Sequence, residues 1–557
     1  MAENIKRIFG IDLGTTYSSI AYVDEFGKAV VLPNAENERV TPSVVFFDGG
    51  NIVVGEVAKE SAKLYPNEVV SFVKRSMGEP NFVFEYDKKA YRPEEISSFV
   101  LRKLAQDAEQ KVGEKITDVV ITCPAYFGIN EREATRIAGE IAGFNVRQII
   151  NEPTAAAIAY GATETDADRV VLVYDLGGGT FDITMIHIQS EAIQVICTGG
   201  DHNLGGKDWD DRIVTYLVEE FQRSTGTDED ILEDADTWQD LQLSAEKSKK
   251  ILSQREKVPI SITHGGERVK VELAREKFET LTRDLLERTI SLTHGILEEA
   301  KKKDYEKFDD IILVGGSTRM PQVAERIREE FSMEPKVFDP DEAVAKGAAI
   351  YGWKLSINDE LVKRVARRVK KSVEEVGKNW NTVAKEAKDV VEAASKEMAQ
   401  DTGYTPAAVE SSLVKIRDVT SKSFGVVVTD ADNQEKVFNL ILRNSVVPVD
   451  AKDTFYTAVE NQRMVLIRIQ ETETSDEWVP LENAVEIGTA ILHLPPNLPA
   501  ETPVDISFSL NREGRLDITA TETSEGRKVN VTIETTSVIS GRELDEAKER
   551  SKIIRVQ

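Results

Sequence analysis

Residues 8–18 read IFGIDLGTTYS, and residues 170–182 read VVLVYDLGGGTFD. In each, an apolar run (Ile8–Ile11, Val170–Tyr174) meets an aspartate, a leucine and a glycine turn followed by threonine. Short apolar runs bounded by turn residues predict buried strands. The shared D-L-G-x-(x)-T pattern predicts an internal repeat, one copy in each lobe of a duplicated fold. Glycine has no Cβ, so backbone N–H groups at such turns can approach phosphate oxygens closely. Asp12 and Asp175 would repel phosphate unless a hydrated divalent cation lies between, and Mg²⁺ readily keeps its waters. A third turn, Val314-Gly315-Gly316-Ser317-Thr318-Arg319, follows the apolar run Ile311–Val314. Any one of these is an ordinary hairpin by itself; together they predict a cradle for ATP phosphates.

Working outward, strand-like runs such as Val119–Thr122 alternate with amphipathic helical patterns through residues 1–355. That alternation predicts an α/β nucleotide-binding domain with ligands at strand ends. The texture changes over 356–412, where Val365, Val369, Val373, Val376, Trp380, Val383, Ala387, Val390 and Ala394 recur at spacings of four and three. This is a narrow helical stripe of coiled-coil type, an inserted helix that offers a surface for self-association or a partner. Its basic block, Lys363-Arg364 and Arg367 to Lys371, reads first as a solvated face. Gly403-Tyr404-Thr405-Pro406 supplies turn signals. Residues 413–537 carry seven short alternating runs, from Ser423–Thr429 to Lys528–Glu534, which predict an all-β sandwich. Residues 538–557 open a charged helix.

Composition narrows the function classes. At 557 residues with 41% hydrophobic residues, the chain has material for several cores. A formal net charge of -27 argues against binding nucleic-acid backbones. No apolar run reaches the ~20 residues that span a bilayer, and MAENIKRIFG lacks a signal-peptide core. Two cysteines, Cys123 and Cys197, lie in apolar runs and make no disulfide framework, so a cytosolic location is expected. The five histidines have no metal-ligand spacing.

Five segments, Ile11–Ser18, Ile149–Gly161, Asp175–Asp182, Leu204–Asp208 and Leu313–Pro321, resemble those of DnaK-type 70-kDa heat-shock chaperones (the heat shock protein 70 family). More distantly, they are similar to the actin and sugar-kinase superfamily. The resemblance implies an actin-like two-lobed ATPase domain of duplicated ribonuclease-H-like units, followed by a peptide-binding sandwich. It implies that Lys74 positions the attacking water, that Glu152 and Asp175, with Asp12, organise hydrated Mg²⁺, and that Thr180 and Asp182 complete the catalytic set. ATP and ADP are the implied nucleotides, with K⁺ as a companion ion. Phosphates would meet Gly14, Thr15, Thr16, Tyr17, Gly177, Gly178, Gly179, Gly205 and Gly206. Spacing places Glu246, Lys249, Lys250 and Ser253 on one helical face, which alone reads as salt-bridge support; the resemblance implies that it contacts the nucleoside. Gly315, Gly316, Ser317, Arg319 and Asp341 would close the other side. Lys207 stands where the family usually has an acid.

In the β domain, Phe455–Gln462 resembles the family's peptide-binding segment, which assigns Val426, Phe455, Ala458, Val465 and Ile467 to an apolar cleft. Inward-facing residues of any sandwich would look the same. Unfolded polypeptide clients, a J-domain co-chaperone and a nucleotide exchange factor are implied partners. Pro124 and Arg132 match the family's interdomain switch. The linker, however, reads Leu413-Val414-Lys415-Ile416-Arg417 rather than an acid followed by leucines. Burying Lys415 or Arg417 unpaired would cost several kcal/mol, so unchanged linker docking is not expected. Barely one helix follows the sandwich, so little or no lid and fast peptide release are expected. A small-molecule kinase and a nucleotide-binding adaptor are the competing functions. The first lacks a visible base, and the second has no need to keep Lys74, Glu152, Asp175 and Thr180.

Overall fold

Each Asp-led hairpin begins a sheet, and the two sheets repeat one strand order. The computed structural model describes residues 5–161, 168–189, 192–402, 409, 415–430, 432–511, 514–523, 526–532 and 538–557. Lobe I contains β1 (Phe9–Asp12), β2 (Tyr17–Val23), β3 (Ala29–Leu32), an outlying β4 (Asn51–Val54), α1 (Pro93–Val112), β5 (Asp118–Cys123), α2 (Ile129–Ile141), β6 (Asn145–Asn151) and α3 (Glu152–Gly161). Its main sheet runs β6-β5-β1-β2-β3. Lobe II contains β7 (Asp168–Leu176), β8 (Phe181–Gln189), β9 (Ala192–Asp201), α4 (Gly206–Thr225), α5 (Ala235–Leu252), α6 (Arg275–Lys301), β10 (Asp310–Val314), β11 (Lys336–Val337) and α7 (Ala343–Val369). Its sheet runs β11-β10-β7-β8-β9 and then takes one further strand. In both lobes the first strand pairs parallel with the strand that follows the crossover and antiparallel with its hairpin partner. The internal repeat is therefore topological. β7 and β10 are buried along most of their length, as strands sandwiched between helices must be.

The stripe over 357–400 is not one long helix. α7 ends in a left-handed Lys370 (φ 57). Ser372 then caps α8 (Val373–Lys378) by accepting the Glu375 N–H at 3.1 Å. The chain breaks again before α9 (Trp380–Glu386) and α10 (Lys388–Thr402). These breaks fold the segment back, so Val365, Val376, Val383, Ala394 and Met398 close one intramolecular cluster. Part of the basic block pairs across the fold, Arg364 with Asp401 at 2.6 Å and Arg368 with Glu397 at 2.5 Å. Met398 is fully buried there, and Met398→Ala should cost about 2–5 kcal/mol in the unfolding of this segment. Hydrogen exchange over 388–402 would read that loss. The turn signals at Gly403–Pro406 lie outside the described residues.

The linker docks. β12 (Lys415–Arg417) adds parallel to β9 at the edge of the lobe II sheet. The anticipated charge penalty does not arise at Arg417, because alternation along the strand leaves Arg417 exposed while Ile416 packs on the lobe core. Leu413 and Val414 lie outside the described residues.

The sandwich follows with a five-stranded sheet, Ser423–Thr429, Glu435–Ile441, Met464–Thr472, Trp478–Pro480 and Ala484–His493, facing a four-stranded one, Val449–Tyr456, Pro503–Leu510, Leu516–Glu522 and Lys528–Thr532. Sequence reading missed Trp478–Pro480, three residues ending in proline, and Ala484–His493. The sandwich rests against both lobes. Glu471 accepts the Ile129 N–H at 3.3 Å, and Arg443 donates to the Thr198 carbonyl at 2.8 Å. Beyond it lie α11 (Gly541–Ile553) and a strand that sequence reading did not anticipate, β13 (Arg555–Val556). No helix among the described residues is long and apolar enough to cross a membrane.

Candidate functional site

The two Asp-led turns meet across the gap between the lobes. At Gly178 a Cβ would lie 1.9 Å from Thr16 Oγ1, so only glycine lets the turns close on each other. Gly315 adopts φ 84, and a Cβ there would come within 2.6 Å of Asp175 Oδ1. Ser317 Oγ donates to the Gly177 carbonyl at 2.8 Å, tying the third turn to the second. Between the turns opens a cavity of about 650 Å³. Gly14, Thr15, Thr16, Tyr17, Gly177 and Gly178 line it. Gly179, Gly205 and Gly206 stand behind that wall: Gly206 N–H donates to the Gly177 carbonyl at 2.9 Å, and Arg75 reaches over from lobe I to the Gly179 carbonyl at 2.6 Å. Arg75 also pairs with Asp208 at 2.7 Å. That interlobe role gave no sequence signal.

The floor is acidic and buried. Asp12 ends β1, Asp175 lies near the end of β7, Asp182 begins β8 one residue in, and Glu152 opens α3. Lys74, only 5% exposed, forms an ion pair with Glu152. Burial, with Glu152 beside it, raises the Asp12 carboxyl to about 7 despite Lys74 and a 3.2 Å hydrogen bond from Thr122. Burial and Glu152 likewise push Asp175 and Asp182 well above the usual carboxylate range. Lys74 is held charged; burial opposes this, but Glu152 and Asp12 outweigh it. One buried cation thus faces four carboxyl groups, a set that favours a further cation. Thr16 Oγ1 and Asp182 Oδ2 are also buried without a hydrogen-bond partner, which suits a polar ligand there. No cluster of three metal-ligating side chains converges among the described residues. The donors therefore fit an ion held through its own waters better than one ligated directly.

On another wall of the cavity, Glu246 on α5 bonds Lys59 of lobe I at 2.5 Å and Lys250 at 2.7 Å. Tyr17 Oη receives Lys59 and Lys250 at 3.0 and 2.7 Å and donates to Glu246 at 3.0 Å. This clasp closes the lobes over the cavity. Lys59 was invisible in the sequence because its partners are distant in the chain. Lys249 points inward, to Asp210 at 2.7 Å and the Gly206 carbonyl at 2.6 Å. Ser253 lines the wall, while Arg319, paired with Asp341 at 2.5 Å and 56% exposed, flanks the mouth beside Gly316. Lys207 pairs with Asp211 at 2.5 Å and lies over the Phe72 ring. Burial would raise Glu246, but Lys59 and Lys250 bring it down to about 2. A depressed carboxyl stabilises above its unfolded pKa and loses that contribution as pH falls. The clasp should therefore be intact above pH about 4.5 and weaken towards pH 2, and Glu246→Gln should abolish that dependence of lobe closure, read by scattering.

Arg132 donates to the Phe127 carbonyl at 2.9 Å and to Asn151, and Asn151 donates to Asp418, just past β12, at 2.9 Å. Pro124 starts the turn before it, its carbonyl accepting the Phe127 N–H at 3.2 Å. In the sandwich, Val426 and Ile467 are core residues, each 2% exposed, with Phe455 and Val465 at the margin of the same core. Ala458 is exposed and apart from it. Phe438, unflagged by sequence, packs edge-on between Phe455 and Trp478, with centroids 5.8 and 4.9 Å away.

Against this geometry, the family model described as Hsp70 protein matches residues 8–400 and 366–556. The chaperone protein DnaK of Halobacterium salinarum is 36% identical over 98% of this chain and 77% of its own length. That of Thermosipho melanesiensis is 37% identical over 100% of this chain and 83% of its own length.

Proposed function

The chain belongs to the Hsp70 family, and from that membership we propose how its residues perform an ATPase cycle coupled to peptide binding. The protein is an ATP-dependent molecular chaperone that hydrolyses ATP; neither the kinase nor the adaptor reading is favoured. The observation carrying the site assignment is the buried Lys74–Glu152 pair set among Asp12, Asp175 and Asp182 at the end of a glycine-walled cavity. Asp12, Glu152 and Asp175 would hold hydrated Mg²⁺, which supplies charge neutralisation at the phosphates. Lys74 Nζ orients the attacking water and offsets charge growing on the γ-phosphoryl group. Asp182, fixed by the Ala125 N–H at 2.8 Å, accepts the water's proton through Thr180. The glycine turns exclude bulk water and present N–H groups to the phosphates, while the Lys59–Glu246–Tyr17 clasp closes over the nucleoside. K⁺ would serve beside Mg²⁺ as a counter-ion.

Clients are unfolded polypeptides that present extended apolar segments to the margin of the sandwich around Phe455 and Val465. A J-domain co-chaperone, an exchange factor and a cytoplasmic location complete the reading. The domain limits follow 1–355, 356–412, 413–537 and 538–557, with 356–412 as a helical insertion. Its apolar stripe, already closed on α7, supports an internal buttress better than self-association. The test is phosphate release from ATP in single turnover, with and without an apolar peptide. A rate raised by peptide is expected; phosphate appearing on a sugar or acid instead would overturn it.

A further inference from the structure

Three lysines that line the cavity are committed to shielded partners. Lys74 is paired with Glu152, Lys249 with Asp210 and Lys250 with Glu246, carboxylates whose side chains are 9, 8 and 15% exposed. Lys207 also lines the cavity, but its partner Asp211 is 40% exposed. Solvent screens such a pair, so breaking it costs little. Asp211 also accepts a hydrogen bond from Gln242 at 2.9 Å and keeps that donor when the lysine leaves. The Lys207 backbone does not share this freedom. Its N–H donates to the Gly178 carbonyl at 2.7 Å, in the turn between β7 and β8. The flexible side chain therefore swings from a fixed point on one of the two glycine turns.

Lys207 is the second residue of α4. A cation in the first turn opposes the helix dipole, so the helix itself gains nothing from a lysine there. Across the gap stands Phe72 of lobe I, its ring centre 5.7 Å from Lys207 Nζ. Phe72 lines the cavity as well and precedes the short turn, Val73–Ser76, that carries Lys74. Lys207 Nζ thus stands where the lobes meet, beside the glycine turns, with a partner it can give up.

We propose that Lys207 holds the inorganic phosphate cleaved from ATP, exchanging Asp211 for a phosphate oxygen and delaying the product's departure. Hydrolysis breaks the bond between the γ-phosphorus and the oxygen that stays on ADP, and water supplies the new oxygen. The products together carry more negative charge than ATP did. Lys74 is already held by Glu152, so a second cation answers the added charge. Ammonium-to-phosphate hydrogen bonds are charge-assisted and stronger than a screened surface pair. The acid usual at this position in the family would repel phosphate, which makes the retention a property of this chain.

The proposal rests on the ATPase reading, and binding of inorganic phosphate to the full chain preloaded with ADP and Mg²⁺ tests it separately. Lys207→Gln should weaken phosphate by roughly tenfold or more, the loss of one charge-assisted hydrogen bond. Lys207→Glu should weaken it further, and Lys207→Arg should keep most of the affinity because charge and donors remain. Asp211→Asn should tighten phosphate, since the competing carboxylate is gone. In single turnover, Lys207→Gln should shorten the lag between cleavage, read by acid quench, and phosphate release, read by a fluorescent phosphate sensor. Unchanged phosphate affinity in Lys207→Gln would overturn the assignment. So would a fall in ADP affinity by the same factor, which is what a merely structural role would give. A parent protein that does not cleave ATP would instead mark a failure of the ATPase reading.

Discussion

Lys74→Ala should lower single-turnover ATP hydrolysis by roughly 10²–10³-fold while ATP still binds. The side chain is buried, keeps its charge through Glu152 and Asp12, and lines the cavity beside Asp12, Glu152 and Asp175. Among the described residues it is the buried cation paired with this carboxyl set, so removing it deprives transition-state charge of its stabiliser. Binding survives because the glycine turns and the Glu246 clasp make their contacts elsewhere. The loss should fall on the chemical step and not on the nucleotide Kd. Lys74→Arg should not restore the rate, since a planar guanidinium cannot replace a compact ammonium in a site packed this tightly. A mutant that hydrolyses at the parent rate would contradict the assignment.

The second large effect should come from one methyl group at Gly178. The residue faces Thr16 of the other lobe, and an added Cβ would sit 1.9 Å from its Oγ1 and 2.7 Å from its Cβ. Neither turn can yield without moving its lobe, because Thr16 is followed at once by β2 and Gly178 lies between β7 and β8. Gly178→Ala should hold the lobes apart and weaken ATP binding by roughly 10–100-fold, or about 1.4–2.8 kcal/mol. Thermal melting without nucleotide should change little, since both lobe cores lie away from the turn. Calorimetric titration with ATP and Mg²⁺ would measure this directly. Gly179→Ala provides a comparison, because its Cβ would meet Thr15 Cγ2 at 2.4 Å in the same interlobe contact.

What could be read in advance was whatever the chain writes locally. The Asp12 and Asp175 turns each carry strand, aspartate and glycine within a few consecutive residues, so both the repeat and the cavity wall were legible. Of the acidic floor, Asp12 and Asp175 were legible in the turns themselves, whereas Lys74, Glu152 and Asp182 were legible only through resemblance, because Lys74 and Glu152 meet by tertiary folding. Lys59 and Arg75 were missed for the same reason. Each is an ordinary surface-type residue until a lobe closes over it. The stripe over 357–400 misled because helical spacing survives across breaks: Lys370 and Ser372 turn the chain, and the apolar residues then face one another. The linker misled in the opposite sense, since charge counted along a strand ignores which side each residue faces. β13 had no signal, being two residues that become a strand only against β4.

The central claim is that nucleotide held between the lobes sets the grip of the sandwich on an extended apolar peptide. Its most direct test is the dissociation rate of a fluorescently labelled apolar peptide after addition of ATP with Mg²⁺ or of ADP with Mg²⁺. The account predicts that ATP speeds release relative to ADP by on the order of 5–150-fold, the usual range of coupling between two sites. Equal release rates with the two nucleotides, from a protein shown to hydrolyse ATP, would contradict it.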